Sequence, residues 1–403
     1  MSNSSFFARV DQAPPDPILG LTEAFNADPN PRKVNLGVGV YQDGSGKVPV
    51  LQTVREAESR WYEQESSKSY LPIDGLAAFN SAVKELLLGK NSKLISSGRV
   101  VTVQCLGGTG ALKVGGDFLK RFFPASTVYI SDPTWANHGQ IFERAGFSIG
   151  TYTYYDKATH GLNFEGMISS LKSLPDNSIV LLHGCCHNPT GVDPTREQWK
   201  EIVEVFKNRT LVPFIDFAYQ GFGEGIDEDA YAIRLFAEAG LSCLVASSFS
   251  KSLSIYRERV GALTIITGNA DESKNILSQV KVAIRSNYSN PTSHGGQIAA
   301  IILTDGKLRE RWEREVTEMR ERIQTMRELF VRGLKEKGVK QDFSFIAKQK
   351  GMFSFSGLTK ETVETLIREY SLYMVSSGRI CVAAMNEKNI PFICESIAAV
   401  LNK

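Results

Sequence analysis

Short β-branched runs alternate with longer amphipathic stretches through the middle of the chain. Runs at 100–104, 128–131, 179–183, 212–216, 243–247 and 262–266 are apolar at nearly every position, which predicts strands buried on both faces. The longer stretches between them carry apolar residues at helical spacing. Together they predict an α/β fold, a mostly parallel sheet covered by helices on both sides. Ligands in such sheets gather at the carboxyl ends of the strands, so the residues just after each run are where chemistry is sought.

After residue 307 the pattern changes. Leu308, Trp312, Val316, Met319, Ile323, Met326 and Phe330 recur every three or four residues on a heavily charged background, up to about Leu334, and predict one long amphipathic helix. Helices of this kind bridge domains, and the mixed pattern beyond Gly338 predicts a smaller α/β domain. The proline-rich segment 13–17 reads as an extended arm that can pack on a partner subunit. No internal repeat is visible.

Composition narrows the partners. At 403 residues and 42% hydrophobic content the chain exceeds one simple core and predicts two unequal domains or more. A net charge of +2 with both signs interspersed gives no reason to expect nucleic acid or a membrane surface, and points to small metabolites. The six cysteines include no C-x-x-C pair, which predicts reduced thiols. The five histidines lack zinc-ligand spacing, except that His183 and His187 flank Cys185 and Cys186, so no metal is expected. The N-terminal residues lack the apolar region of a signal peptide, which predicts a cytoplasmic location. The best apolar run, 298–303, falls far short of the roughly 20 residues a spanning helix needs.

The run from Ser247 to Gly261 places Lys251 and Arg259 just after an apolar strand. A lysine amine can bond covalently to an aldehyde, and a guanidinium grips a phosphate without losing its charge, a pairing that suits pyridoxal phosphate. One lysine among 46 basic residues carries little by itself. Gly107-Gly-Thr-Gly110 follows a strand and opens a helix, where free N–H groups can hold a phosphate; viewed alone it is equally a tight turn. With Arg259 and the hydroxyls of Ser248 and Ser250 it makes a phosphate cup.

Asp216 closes a strand and Tyr219 follows it. A carboxylate facing a pyridine nitrogen keeps it protonated, and a phenol near the ring hydroxyl tunes the adjacent proton; an isolated strand-end Asp is more simply a helix cap. Asn188, in an Asn-Pro turn, offers an amide to a ring oxygen. Trp135 offers a stacking face, and His138 can support a buried carboxylate. Arg285 and Arg379 read singly as surface ion-pair residues. In one pocket they would form two forks matching the two carboxylates of a dicarboxylic amino acid.

Taken together these residues resemble the class I aminotransferases, in the subgroup of bacterial aspartate and aromatic aminotransferases. The similarity runs from Asp16-Pro-Ile-Leu-Gly-Leu21 and Asn35-Leu-Gly-Val-Gly-Val-Tyr41 through Tyr70-Leu-Pro-Ile-Asp-Gly75 to Asp342-Phe-Ser-Phe345 and Gly351-Met-Phe-Ser-Phe-Ser-Gly357. It implies the pyridoxal-phosphate-dependent transferase fold type I, with an arm at 1–12, a small domain from 13–44 and 313–403, and a large domain over 45–312. It implies Lys251 as the Schiff-base lysine and proton shuttle, and Asp216 on the pyridine nitrogen with His138 behind it. Asn188 and Tyr219 would address the ring oxygen and Trp135 would stack on the ring. Gly108, Thr109, Ser248, Ser250 and Arg259 would hold the phosphate, joined by Tyr70 of the other subunit in a homodimer with shared active sites. Arg379 would bind the α-carboxylate, Arg285 of the other subunit the side-chain carboxylate, and Gly39 would close over substrate.

The implied reaction is reversible amino transfer between L-aspartate and 2-oxoglutarate, with dual dicarboxylate and aromatic specificity as the alternative. Two departures stand out. Relatives often read Asn-Phe-Gly-Leu-Tyr where this chain has Ser252-Leu-Ser-Ile-Tyr256, so Ser254 stands at a glycine position. Gly107 stands where some relatives carry a serine, which implies a slightly weaker phosphate grip. A lyase or decarboxylase on the same fold would use the same lysine and aspartate, and the paired arginines disfavour it. A cofactor-binding regulator would need an added DNA-binding segment or lack the lysine.

Overall fold

The computed structural model describes residues 5–13 and 19–402; of the expected proline-rich arm, residues 14–17 lie outside the described residues. Seven strands form the main sheet: β1 (Val100–Leu106), β2 (Thr127–Asp132), β3 (Ser148–Thr153), β4 (Ile179–His183), β5 (Val212–Phe217), β6 (Cys243–Ser248) and β7 (Val260–Ile266). All six runs read from the sequence are strands. The seventh, β3, was not legible because it lies at one edge of the sheet, is half-exposed, and is interrupted by Gly150, so it has no continuous apolar run.

The spatial order is β1-β7-β6-β5-β4-β2-β3. Strands β2 to β6 pair in parallel, whereas β7 runs antiparallel to both β1 and β6, with Gly261 opposite Cys105 on one side and Ser248 on the other. Successive strand residues face opposite sides. On one face Val103, Phe214 and Leu263 meet Leu112 and Leu119 of α1 (Gly107–Phe122) and Val280 and Ile284 of α2 (Ala270–Asn287). On the other, Val180, Ile215 and Val245 belong to the core that includes Phe79, Ile202, Phe236 and Ile298 from four further helices. Each such buried aliphatic or aromatic side chain contributes about 1.5–3 kcal/mol, so both faces must be covered for the sheet to be stable.

The long helix is α3 (Gly306–Glu336), 31 residues and therefore about 46 Å long. Asp305 caps it by accepting from the backbone N–H groups of Lys307 and Leu308. The predicted apolar stripe is buried, and Trp312 donates its indole N–H to the Ser252 carbonyl at 2.7 Å, tying α3 to the loop that carries Lys251. Arg327 departs from the pattern. It is 1% exposed, donates to the carbonyls of Gly351 and Phe353 at 2.7 Å and to the Ser354 hydroxyl, and burial pushes its pKa down to about 10.

Beyond α3, Phe353–Phe355 pairs antiparallel with Arg379–Cys381, and Leu372–Tyr373 pairs in parallel with Val34–Asn35. The chain around residue 35 is thereby built into the C-terminal region.

Candidate active site

The carboxyl ends of the parallel strands meet at one edge of the sheet. There Gly39, Gly108, Thr109, Trp135, Asn188, Asp216, Tyr219, Ser248, Ser250, Lys251 and Arg259 line one cavity of about 440 Å³. Most arrive in the turn after a strand: Gly108 and Thr109 after β1, Trp135 after β2, Asn188 after β4, Asp216 and Tyr219 at the end of β5, and Ser248 to Lys251 from β6. Arg259 arrives differently. Because β7 is reversed, its amino end lies at the same edge, and Arg259 immediately precedes it.

The residues expected to hold a phosphate, Gly108, Thr109, Ser248, Ser250 and Arg259, come together in this cavity at the amino end of α1. No side chain caps the first turn of α1, so its N–H groups are available to an anion, and the helix dipole adds to their pull. Arg259 donates to the Tyr256 carbonyl at 2.9 Å and reaches the Ser250 hydroxyl at 3.4 Å, and it makes no ion pair among the described residues. Gly107 has φ +70°, and a Cβ there would lie 2.6 Å from the Arg259 Nη2, so only glycine leaves the guanidinium undisturbed. That gives the glycine expected to loosen the grip a steric reason to be present.

Asp216 ends a buried polar relay. His138 Nε2 lies 2.9 Å from its Oδ2, His138 Nδ1 lies 2.8 Å from the Thr134 hydroxyl, and that oxygen lies 3.1 Å from His183 Nε2. Burial pushes the His183 pKa down to about 3, with the neighbouring His138 adding to the effect, so His183 is neutral. An ionised carboxylate only accepts, which fixes the His138 proton toward Asp216. Burial would raise the Asp216 carboxyl, but the interaction with His138, its hydrogen bond first, outweighs it, with Lys251 adding a smaller share, and the carboxyl is held below its ordinary range.

The Lys251 amine sits 4.8 Å from the centre of the Tyr219 ring. Burial pushes its pKa down to about 8 against the attraction of Asp216, and Arg259 lowers it further. Burial, reinforced by Asp216, raises the Tyr219 phenol, which stays protonated and lies 3.5 Å from the Asn188 amide nitrogen.

Arg379 stands beside the cavity, 5% exposed and without an ion pair among the described residues. It donates to the Gly37 carbonyl at 2.5 Å and to Asn188 Oδ1 at 3.4 Å, with the Phe353 ring 4.4 Å below its guanidinium. Its Nε is buried without a partner. An unpaired buried guanidinium with an orphaned N–H is a ready carboxylate receptor. The charges of Lys251, Arg259 and Arg379 exceed that of Asp216, so the site as a whole favours an anionic occupant.

Two expected residues lie elsewhere. Tyr70 is 91% exposed, and Arg285, near the end of α2, is exposed and donates to Ser289. Neither lines the cavity within one chain. Conversely, Tyr256 and Phe353 were missed. Tyr256 lines the cavity and accepts from the Tyr41 backbone N–H at 2.8 Å; Phe353 lies where a Cβ on Gly39 would fall, 2.6 Å from its ring. The short Lys251–Arg259 spacing was a signal for Tyr256; Phe353 had none. Ser254 has φ +53°, the left-handed conformation glycine favours, and its hydroxyl donates to the Pro49 carbonyl at 2.6 Å. The departure read at that position is therefore a real conformational demand, partly offset by a new hydrogen bond.

The fit to pyridoxal phosphate rests on these features: an uncapped helix end with Arg259, which has no ion pair among the described residues, a carboxylate held ionised at Asp216, and an amine of lowered pKa in the same cavity. The family model for aminotransferase class I and II matches residues 31–397. The chain is 54% identical to the aspartate aminotransferase of Pseudomonas aeruginosa over 397 residues, 98% of this chain and 100% of that protein. It is 48% identical to the aromatic-amino-acid aminotransferase of Escherichia coli over 396 residues, again 98% and 100%. The crystal structure of an aromatic-amino-acid aminotransferase from Burkholderia pseudomallei, covalently bound to pyridoxal phosphate, superposes with a TM-score of 0.97 at 56% identity, covering 99% of this chain and 100% of that one.

Proposed function

The chain belongs to the class I and II aminotransferases, and on that premise we propose that it is a pyridoxal-phosphate enzyme moving an amino group reversibly between L-aspartate and 2-oxoglutarate, giving oxaloacetate and L-glutamate. The observation that carries this reading is Arg379, a buried guanidinium with a free N–H and no counter-charge, beside a cavity that also holds Lys251 and Asp216.

When bound, the cofactor supplies an aldehyde for the amine and a ring that withdraws electrons from the substrate Cα. Lys251 holds it, and its Nζ as a neutral amine moves the proton between the substrate Cα and the cofactor carbon that carries the transferred nitrogen. Asp216, kept ionised by His138, holds the pyridine nitrogen protonated. Asn188 and Tyr219 address the ring oxygen, and Trp135 covers the ring face. The first turn of α1 at Gly108 and Thr109, with Ser248, Ser250 and Arg259, binds the phosphate. Arg379 binds the substrate α-carboxylate, and Gly39 packs over the occupied site.

Tyr70 and Arg285 complete the site from a second copy of the chain in a homodimer, Tyr70 at the phosphate and Arg285 at the side-chain carboxylate. Their exposure in one chain supports this, as do Phe6 and Phe7, 87% and 77% exposed on the N-terminal arm. The large domain spans 45–312, the small domain 13–44 and 313–403, and the arm 1–12. The pairing of Val34–Asn35 with Leu372–Tyr373 supports a small domain built from both ends of the chain. Substrates are soluble amino and 2-oxo acids, and among the described residues no helix is long and apolar enough to cross a membrane, in keeping with work in the cytoplasm.

A second reading, use of aromatic donors alongside dicarboxylates, is supported by the aromatic aminotransferases among the similar structures. Visible spectra of the purified protein with L-aspartate and with L-tyrosine test both. The cofactor absorbance is expected to change with aspartate and to be restored by 2-oxoglutarate, and the rate with tyrosine ranks the two donors. A band unmoved by every amino donor would refute the assignment.

A further inference from the structure

Cys185 and Cys186 follow β4, ahead of Asn188. Consecutive side chains on an extended segment point apart, but Cys186 has φ +52°, the left-handed conformation uncommon for a residue with a side chain. Backbone outliers of this kind cluster where geometry serves a function. Here both sulfur atoms and one carboxylate oxygen of Asp229 lie within 4.8 Å of one another.

The neighbouring histidines are not part of this group. His187 is committed through Nδ1 to Thr190 at 2.8 Å and through Nε2 to Ser131 at 2.9 Å, and His183 through Nε2 to Thr134 at 3.1 Å. Asp229, 6% exposed, is held only by the backbone N–H groups of Gly221, Gly223 and Glu224, and it makes no ion pair among the described residues. The nearby Lys350 is already paired with Glu224 at 2.6 Å. A cavity of about 270 Å³, separate from the active-site cavity, is lined by Cys185, Asp193 and Asp229 and gives a small cation a way in.

We propose that Cys185, Cys186 and Asp229 bind one divalent thiophilic cation of the zinc class, and that its binding lowers the enzyme's activity. Two sulfurs and a carboxylate oxygen suit zinc, with water from the cavity as fourth ligand, whereas magnesium and calcium require oxygen ligands throughout. Tetrahedral bonds of roughly 2.0–2.3 Å place ligand atoms about 3.3–3.8 Å apart, so separations that are 4.8 Å at most close by up to about 1–1.5 Å, shared between the two atoms of each pair. Two Zn–S bonds form as two S–H bonds break, and both protons go to solvent. The coupling to activity is spatial. Cys186 Sγ lies 4.0 Å from the Tyr219 carbonyl, and Gly351 packs so close that a Cβ there would fall 2.5 Å from the Cys186 Cβ. Drawing the thiols toward Asp229 shifts the two loops that carry Asn188 and Tyr219.

Calorimetric titration of the holoenzyme with zinc chloride in chelator-free buffers of different ionisation heat tests the binding, independently of which amino acid is the substrate. One zinc per chain is expected, with two protons released. Cys185→Ala, and Cys185→Ser if the alanine variant folds poorly, should weaken binding at least tenfold, while Cys394→Ala, at a distant buried thiol, should not. Zinc should reduce wild-type turnover at least fivefold, reversibly on adding a chelator, and leave the Cys185 variants unaffected. Absence of binding, or binding unchanged in the Cys185 variants, would overturn the site. Cys185-dependent binding with full activity would overturn the coupling.

Discussion

Replacing Arg379 by lysine keeps the charge and removes the fork. The guanidinium divides its donors among the Gly37 carbonyl at 2.5 Å, Asn188 Oδ1 at 3.4 Å and an Nε with no partner in the protein. An ammonium on a shorter, rotatable stem cannot hold Gly37 and also present two parallel N–H groups to a carboxylate. A hydrogen bond to a charged group is worth about 1.5–3 kcal/mol, and each 1.4 kcal/mol is tenfold, so loss of one arm lowers kcat/KM for L-aspartate by about 10- to 100-fold. The lost contact with the Phe353 ring, 4.4 Å away, adds a smaller penalty of about 0.5–2 kcal/mol. Cofactor binding should be spared, because Arg379 is absent from the phosphate cup around Arg259. The assay is steady-state turnover over a range of aspartate and 2-oxoglutarate concentrations, with the visible absorbance confirming cofactor occupancy. A fall of less than about threefold in fully loaded Arg379→Lys enzyme would refute the role assigned to the fork.

Three further outcomes are expected, two from the cavity's geometry and one from the role proposed for Arg285 of a second copy. In cofactor-free protein the Lys251 amine is pushed down to about 8, and Asp216 is the neighbour that opposes this, so Asp216→Asn should move the amine's titration below pH 8; aldehyde modification of Lys251 followed by mass spectrometry should rise through pH 8 in wild type and at lower pH in the variant, and a midpoint that rises or stays would contradict the assignment. Gly107→Val forces a β-branched residue into φ +70° with its Cβ against Arg259, which should weaken cofactor binding at least about tenfold, measured by equilibrium dialysis; unchanged affinity would remove Gly107 from the cup. Arg285→Ala should sharply reduce turnover of L-aspartate while sparing aromatic donors, and equal losses for both classes would count against its role at the side-chain carboxylate.

Much of the site was legible because its members sit in short, polar or glycine-rich segments directly after apolar runs. Lys251, Asn188 and Gly108 follow such a run and Asp216 closes one, and the rule that ligands collect at strand ends gathers them without knowing the strand order. Arg259 was found by its nearness to Lys251, but its placement depends on the reversed strand, and nothing in Val260–Ile266 signals direction. Phe353 was missed because its contact with Arg379 joins strands whose pairing is not encoded locally. Arg327 was missed for a related reason: a charged residue next to an apolar stripe reads as solvated, and only the surrounding carbonyls make its burial tolerable.

The sequence by itself determined the elements and their chemistry, because apolar periodicity and turn residues act over a few neighbours: the six strands, the long helix, the phosphate-holding turn and the amine, carboxylate and guanidinium types. Only the tertiary structure decided which of these groups share a dielectric environment. Burial lowers the Lys251 amine, and His138 and Lys251 keep Asp216 ionised despite burial, through contacts between residues far apart in the chain. Strand order, the reversal of β7 and the convergence of two buried thiols on Asp229 likewise depend on packing between distant segments, which no local pattern records.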